Sequence, residues 1–522
     1  MTMRQTRLLL VAVLAAGLVL WIGWSVWPTA AAPVDWGPLP HAPHIRPDYI
    51  GVTIPPNIAP LNFVVEEPGT AYHVRIGTPD GPYCDVRSRD GAIRIPPATW
   101  KTVLAHYRGK TLPVEVYVRD ANHRWQRLEP FAWTVAQDEI DPYLTYRLLD
   151  PIYNVYMHLG IYQLNLETSE ESPVISSDAI GRGCVNCHTF PHNRPDPFLF
   201  HVRTGADTSI PIGMVVMRDD KPELVQPRAD VHPGFAAFSS WHPNQELVAF
   251  SLNDTVQYMH GNTTETREVY DRRSDLAVVH LATGAVTAPR AIADPAQLET
   301  FPCWSPDGKY LYFCRAADIW KEVEPSLLQD YAKVKYDLVR VPYDVASDTW
   351  GDVEVLLAAA DTGTSMVQPR VSPDGRFVLF CACDHGSFPA FRAASDLHML
   401  DLTDRTCRRL DANSDQSESW HSWSGNSRWI VFASRRANGY VAWPYLCYID
   451  PSGQDHRPLL VPQADPRFYD TRLKTYNLPE LVMGPISVDH DELKRALRSK
   501  GPDSEPAAAE GSVEQGYGGG RE

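Results

Sequence analysis

Residues 184–188 read Cys-Val-Asn-Cys-His. Two thiols separated by two residues can each form a thioether to a vinyl group of one haem. The histidine that follows at once then points at the iron as its proximal ligand. The spacing therefore predicts one covalent haem c, with Cys184 and Cys187 as the sulfur donors and His188 as an axial ligand. Three fixed residues of uncommon type make this a specific short motif. Three rival chemistries share parts of the pattern. A zinc site needs a second ligand pair, and His192 and His201 lack the spacing of common zinc modules. A thioredoxin-like redox pair needs a βαβ setting, and a structural disulfide needs only the two thiols. The second axial ligand is left open. Met214 and Met217 lie in the apolar run IPIGMVVM, where methionine more often fills core. His192, His201, His232, His242 and His260 are the neighbouring imidazoles, and lone histidines are more often satisfied polar groups than ligands.

Such a haem is attached outside the inner membrane, and the N-terminus agrees with that compartment. Arg4 and Arg7 precede an unbroken apolar run from Leu8 to Trp27. As a helix this run crosses a hydrocarbon core of roughly 30 Å. Trp21, Trp24 and Trp27 suit its far interface, and the positive flank stays on the cytoplasmic side. Residues 1–32 are thus expected to be a signal anchor, a single pass in a bacterial-type inner membrane with the bulk of the chain in the periplasm. Thr29 to Ala32 offer small residues for cleavage as the alternative, although Pro33 hinders it. The net charge of −16 disfavours nucleic acid or anionic lipid as a partner. It suits solubility and docking to a basic redox partner. Seven of the nine cysteines lie outside the motif, an odd number that cannot all pair within one chain, and most are expected to be small buried apolar residues.

With 522 residues, several domains have to position the motif. Residues 33–58 are proline-rich and read as an extended linker. Residues 59–135 carry short alternating segments, LNFVV, YHVRI, AIRI, PVEVYV and FAWTV, separated by turn residues. They predict an immunoglobulin- or fibronectin-like sandwich. Residues 136–182 lack a clean strand period and read as a connector, irregular or partly helical. From 183 to 490 a hairpin repeats: FSSWHPNQELVAF, FPCWSPDGKYLYF, QPRVSPDGRFVLF and WHSWSGNSRWIVF, with turns starting at His242, Ser305, Ser372 and Ser424. Each hairpin is followed by a further strand pair. Units of about 40 to 50 residues with four strands are β-propeller blades, here with loop insertions. CVNCHTFPHNRPDPFLFHVR fits the same hairpin, so the haem motif would be grafted onto a blade. The tail, 498–522, is polar and expected to be disordered.

These stretches resemble the TolB-like, PD40-type propeller proteins, and more closely a group of uncharacterised bacterial envelope proteins that combine such a propeller with CVNCH. YRLLDPIYNVY, IYQLNLET, CVNCHTF, WHSWSGNSRWIVFASRR, LLVPQADPRFYD and YNLPEL carry the resemblance, which spans roughly residues 60 to 490. It implies six blades, the last closed by segments around 461–490 together with strands near the start. HPNQ and SGNS depart from SPDG and weaken turn identity there.

The expected fold is therefore mainly β: a membrane helix, a small sandwich and a TolB-like propeller. The expected function is that of a membrane-anchored mono-haem c-type cytochrome transferring electrons to a redox protein or an envelope complex. The alternative is an interaction scaffold whose haem is structural or sensory. An open iron position facing a pocket would favour small-molecule chemistry. No G-x-S-x-G elbow or H-E-x-x-H pair is present, and Asp307 and Asp374 are turn formers. Whether the chain is an enzyme is not decided by these residues.

Overall fold

The computed structural model describes residues 32–150, 159–203, 212–225, 235–259, 267–320 and 328–499. The expected anchor, the tail beyond Ser499, His232 and His260 lie outside the described residues. None of the described helices is long and apolar enough to cross a membrane. The chain forms two compact units, one from residues up to Gly51 with Pro60–Val135 and Gln463–Asp470, the other from Val52–Ala59, Ala136–Pro462 and Thr471 onward.

In the first unit, the strand Thr111–Arg119 pairs antiparallel with Ala71–Ile76, Trp125–Arg127 and Phe131–Val135. A second sheet joins Ile45–Arg46, Phe63–Val65 and Ala92–Ile93. The unit also holds a helix, Pro97–Tyr107, which the all-β sandwich reading missed. Its buried Trp100, Val103, Leu104 and Tyr107 repeat at helical spacing, and a proline opens its first turn. Trp100 packs edge-on against Trp133, with ring centroids 5.7 Å apart. The linker reading of 33–58 is also corrected. Tyr49 is fully buried and its carbonyl accepts from Trp133 Nε1 at 2.8 Å, because apolar residues spaced among the prolines are recruited into core.

The second unit is a ring of antiparallel sheets. Blade two runs through Cys184–Thr189, Phe198–Arg203, Gly213–Arg218 and Lys221–Val225. Blades three to six begin with the inner strands Phe235–Trp241, Gln297–Trp304, Ser365–Val371 and Glu418–Trp423. Blade one takes its inner strand, Thr475–Val482, from near the C-terminal end of the described chain and its other three, Tyr143–Leu149, Gly160–Asn165 and Glu170–Ser176, from the N-terminal side. Each inner strand touches the next, and the sixth touches the first, so six sheets close a β-propeller. The reading of 136–182 as irregular connector is thereby corrected. Its strands have no tight turn motif, and their inner partner lies more than three hundred residues away, at Arg147 against Asn477.

Turn chemistry explains the hairpins. In SPDG, Ser305 Oγ donates to Asp307 Oδ1 at 2.7 Å and accepts from the Tyr310 N–H at 3.0 Å. Ser372 and Asp374 repeat the bracket. The departing turns keep it with other atoms. Asn426 Oδ1 accepts from Ser424 Oγ at 2.5 Å, and His242 Nδ1 accepts from the Asn244 N–H at 3.2 Å. The apolar faces then pack between successive blades. Val185, Phe198, Phe200 and Val482 share one such core, and Leu199, Met214, Trp241 and Phe250 share the next. Full burial of side chains of this size is worth about 1.5–3 kcal/mol each, which holds neighbouring sheets together.

Candidate functional site: a bulge ring around the central channel

Every inner strand carries one bulge at the same height. The pairing slips between Asn186 and Thr189, Ala237 and Ser240, Thr300 and Cys303, Val367 and Arg370, and Ser419 and Ser422. In blade one the slip lies opposite Thr145/Arg147. The first displaced residue takes a left-handed backbone in all six cases: Cys187 (φ 41°), Phe238 (48°), Phe301 (56°), Gln368 (59°), Trp420 (48°) and Leu478 (49°). A bulge bends its strand and re-aims a side chain, here toward the axis. None of the six is glycine, so each step costs of order 1–3 kcal/mol, borne by the surrounding sheets.

The Cys-Val-Asn-Cys-His motif occupies one of these steps. Cys187 is the bulge residue of blade two, its N–H donating to Asn186 Oδ1 at 3.0 Å. His188 falls in the next layer of the channel, with Ser239, Pro302, Pro369, His421 and Pro479. Cys184, Cys187 and His188 are all buried, and neither thiol is in a disulfide. Cys184 packs against Leu149 and Leu159 and pairs with Arg203 across the hairpin. Burial pushes the Cys187 thiol up, partly opposed by Arg147. Burial, with Arg147, lowers His188 to about 3, so the ring is neutral at physiological pH. Neither ring nitrogen of His188 makes a hydrogen bond of proper geometry, although the backbone of Leu478 and Thr145 is close by. A neutral imidazole is the form that ligates a metal. Among the described residues no three His, Cys, Asp or Glu side chains cluster to hold a bare metal ion, Cys184, Cys187 and His188 included.

The axial candidates are dispersed. Met214 is buried between blades two and three, where its sulfur accepts weakly from Ser239 Oγ at 3.9 Å. Met217 faces the opposite core, between blades one and two. His201 meets Ser239 Oγ at 2.8 Å, His242 meets the Gly308 carbonyl at 3.1 Å, and His192 meets the Pro243 carbonyl at 3.3 Å. None of these five lines the channel beside His188. His421 does, unforeseen from the sequence, and its Nε2 lies 3.1 Å from the Leu379 carbonyl. A third layer of the channel holds Arg370 and Glu480, 3.9 Å apart. Burial raises the Glu480 carboxyl to about 7. The signal for these residues was present. The quoted repeats FSSW, FPCW, QPRV and WHSW, set above CHTF and LPEL, align the bulge and the two layers below it.

Above the bulge ring the channel opens into a cavity of about 160 Å³. Its walls include Asn186 and Cys187, the rings of Phe238, Phe301, Phe388, Phe391, Trp420 and Tyr476, and four arginines, Arg147, Arg203, Arg267 and Arg435. A smaller cavity of about 30 Å³ lies at the level of His188 and His421.

No family model and no curated protein matches this chain. Among solved structures it is similar to an oligogalacturonate lyase from Vibrio parahaemolyticus (11% identity, TM-score 0.32), over 60% of this chain and 92% of that one. It is similar to an oligogalacturonate lyase in complex with manganese (13%, TM-score 0.35), over 60% and 73%. It is also similar to a protein described as a 6-phosphogluconolactonase from Bacteroides uniformis (10%, TM-score 0.33), over 76% and 98%. Likeness this loose says nothing about the site, and the propeller stands on the strand pairing of the chain itself.

Proposed function

We propose that the chain is a mono-haem c-type cytochrome built on a TolB-like propeller, tethered on the periplasmic side of an inner membrane, and that it transfers electrons. The observation that carries this reading is the sequence Cys184-Val-Asn-Cys187-His188 set at a bulge in the channel wall, with His188 buried there and neither ring nitrogen holding a hydrogen bond of proper geometry. Cys184 and Cys187 would hold the haem and His188 its iron. The two thiols would supply the thioether sulfurs by addition to the vinyl groups, which would need no oxidant or reductant. Bound there, haem supplies a one-electron ferric/ferrous couple. The chain's own part is to keep the imidazole neutral through burial, to wall the site with aromatic rings, and to offer an acidic surface to a basic redox partner.

The test is expression of the full chain with a c-type maturation system. Pyridine haemochrome should count one haem, and intact mass should rise by one haem that survives denaturation. Recovery of a Cys184–Cys187 disulfide, or of bound zinc, from exported protein would overturn the reading.

A further inference from the structure

The third layer of the channel takes one side chain from each inner strand: Thr189, Ser240, Cys303, Arg370, Ser422 and Glu480. All six line a cavity of about 150 Å³ at the lower end of the channel. By the volume that one buried water takes, this is room for about ten. The cavity reaches the surface at the exposed His192 and beside Pro243, Pro306 and Pro373 of three hairpin turns. Indoles hold the layer in place. Trp241 Nε1 donates to the Thr189 carbonyl at 3.2 Å and Trp423 Nε1 to the Arg370 carbonyl at 3.0 Å, each reaching back one blade.

The two charged members of the layer pair poorly. Arg370 Nη2 and Glu480 Oε1 stand 3.9 Å apart, beyond hydrogen-bond reach. Among the described residues the Arg370 guanidinium has Glu480 as its one ion partner, and Glu480 Oε1 is buried with no hydrogen-bond partner. A buried acceptor left in that state is unfavourable. Two hydroxyls add donors. Ser240 Oγ accepts from the Trp304 N–H at 3.0 Å and Ser422 Oγ from the Leu481 N–H at 3.4 Å, and neither hydroxyl donates to a described residue. The cavity thus presents, side by side, a guanidinium fork that needs an acceptor, a carboxyl oxygen that needs a donor, and two hydroxyl protons.

One small molecule answers all of these. A carboxylate matches a guanidinium fork in two-point hydrogen bonding. A hydroxyl on the neighbouring carbon places a donor beside that carboxylate, and the 3.9 Å between Arg370 and Glu480 suits adjacent groups of this kind. An ammonium in the place of the hydroxyl would stand beside the guanidinium. Burial raises the Glu480 carboxyl to about 7, which leaves little negative charge to offset a second cation. We propose that the lower cavity of the channel binds a small hydroxylated carboxylate, with its carboxylate on Arg370, a hydroxyl donating to Glu480 Oε1, and Ser240 and Ser422 completing its hydrogen bonds. None of these residues belongs to Cys184–His188, so the inference goes beyond the haem reading and does not rest on it.

Calorimetric titration of the full chain with glycerate, propionate, glycerol and serine separates the parts of the ligand. Propionate lacks both hydroxyls, glycerol lacks the carboxylate, and serine carries an ammonium in place of one hydroxyl. Glycerate should bind at least about tenfold more tightly than each of the other three, and Arg370→Gln should weaken it by about the same factor, as expected for charge-assisted hydrogen bonds. Glu480→Leu should remove the preference for glycerate over propionate, while Glu480→Gln, which keeps an acceptor oxygen, should retain most of it. Arg272→Gln, an exposed arginine paired with Asp254 at 2.9 Å, should change nothing. The ranking of the four compounds on the unaltered chain does not depend on whether any variant folds. No binding of glycerate, equal binding of glycerate and propionate, tighter binding of serine, or glycerate affinity unmoved by Arg370→Gln overturns the inference. The haem reading stands or falls on a separate measurement, the mass of the matured chain.

Discussion

Cys187 and Gln368 take the same left-handed backbone step, at φ 41° and 59°, on inner strands three places apart in a ring of six. The motif cysteine therefore stands where the fold makes a bulge in every blade, and other blades fill that place with Phe, Gln, Trp or Leu. The backbone does not depend on the thiol.

The first prediction follows. Cys184→Ala/Cys187→Ala should abolish covalent haem and leave the propeller folded. Each substitution removes one small buried sulfur, about 1 kcal/mol of contact, and the thermal midpoint of the haem-free protein should fall by only a few °C. Far-ultraviolet circular dichroism and a melt of both haem-free proteins check this. Loss of cooperative melting would show that the sulfurs are structural.

His188→Gly should separate attachment from ligation. The matured variant should keep both thioethers, since Cys184 and Cys187 are intact, and its Soret and visible bands should shift with the loss of an iron ligand. Added imidazole should restore them in part by entering the space left by the ring. A spectrum identical to that of the unaltered protein would remove His188 from the coordination sphere.

Glu480 makes stability depend on pH in a direction that can be fixed. Its carboxyl is raised from 4.5 to about 7, mainly by burial and against the pull of Arg370, so the folded chain holds a proton that the unfolded chain releases. That contribution is complete below pH 4.5 and is lost as pH rises toward 7. Glu480→Gln cannot lose it. Relative to the unaltered protein, the variant should gain up to about 3 kcal/mol between pH 4.5 and 8. Urea midpoints of the two haem-free proteins at both pH values measure this, and a constant gap between them would refute it.

Two glycines in identical SPDG turns should respond differently to alanine. Gly308 and Gly375 share φ near 70°, at 72° and 74°. A Cβ on Gly375 meets nothing within 4 Å, whereas one on Gly308 would stand 2.4 Å from His242 Nε2. Gly375→Ala should cost about 1 kcal/mol from backbone conformation alone. Gly308→Ala should cost clearly more, because His242 must leave its hydrogen bond to the Gly308 carbonyl. Chemical denaturation of both variants under one buffer decides it.

The hairpins were legible because turn residues and strand period are local. Ser305-Pro306-Asp307-Gly308 specifies its own loop, and its neighbours alternate toward core. The three outer strands of blade one were not, because Tyr143–Leu149 finds its inner partner only at Thr475–Val482 and no short motif announces the pairing. The helix at Pro97–Tyr107 was readable in the spacing of Trp100, Val103, Leu104 and Tyr107, but the surrounding strands masked it. The motif residues were named from five letters, while the positive φ at Cys187 was hidden, since ring closure imposes it on residues with no preference for it.

The borrowed strand of blade one has a consequence in time. The chain leaves the ribosome from its N-terminus, so Cys184, Cys187 and His188 emerge long before residues 475–482. Without those residues the ring of sheets cannot close, and the open place adjoins the motif, because Leu478 of that strand is one of the channel walls beside His188. Closing the ring therefore waits on residues 475–482, and only then does Leu478 wall the channel beside Cys187 and His188.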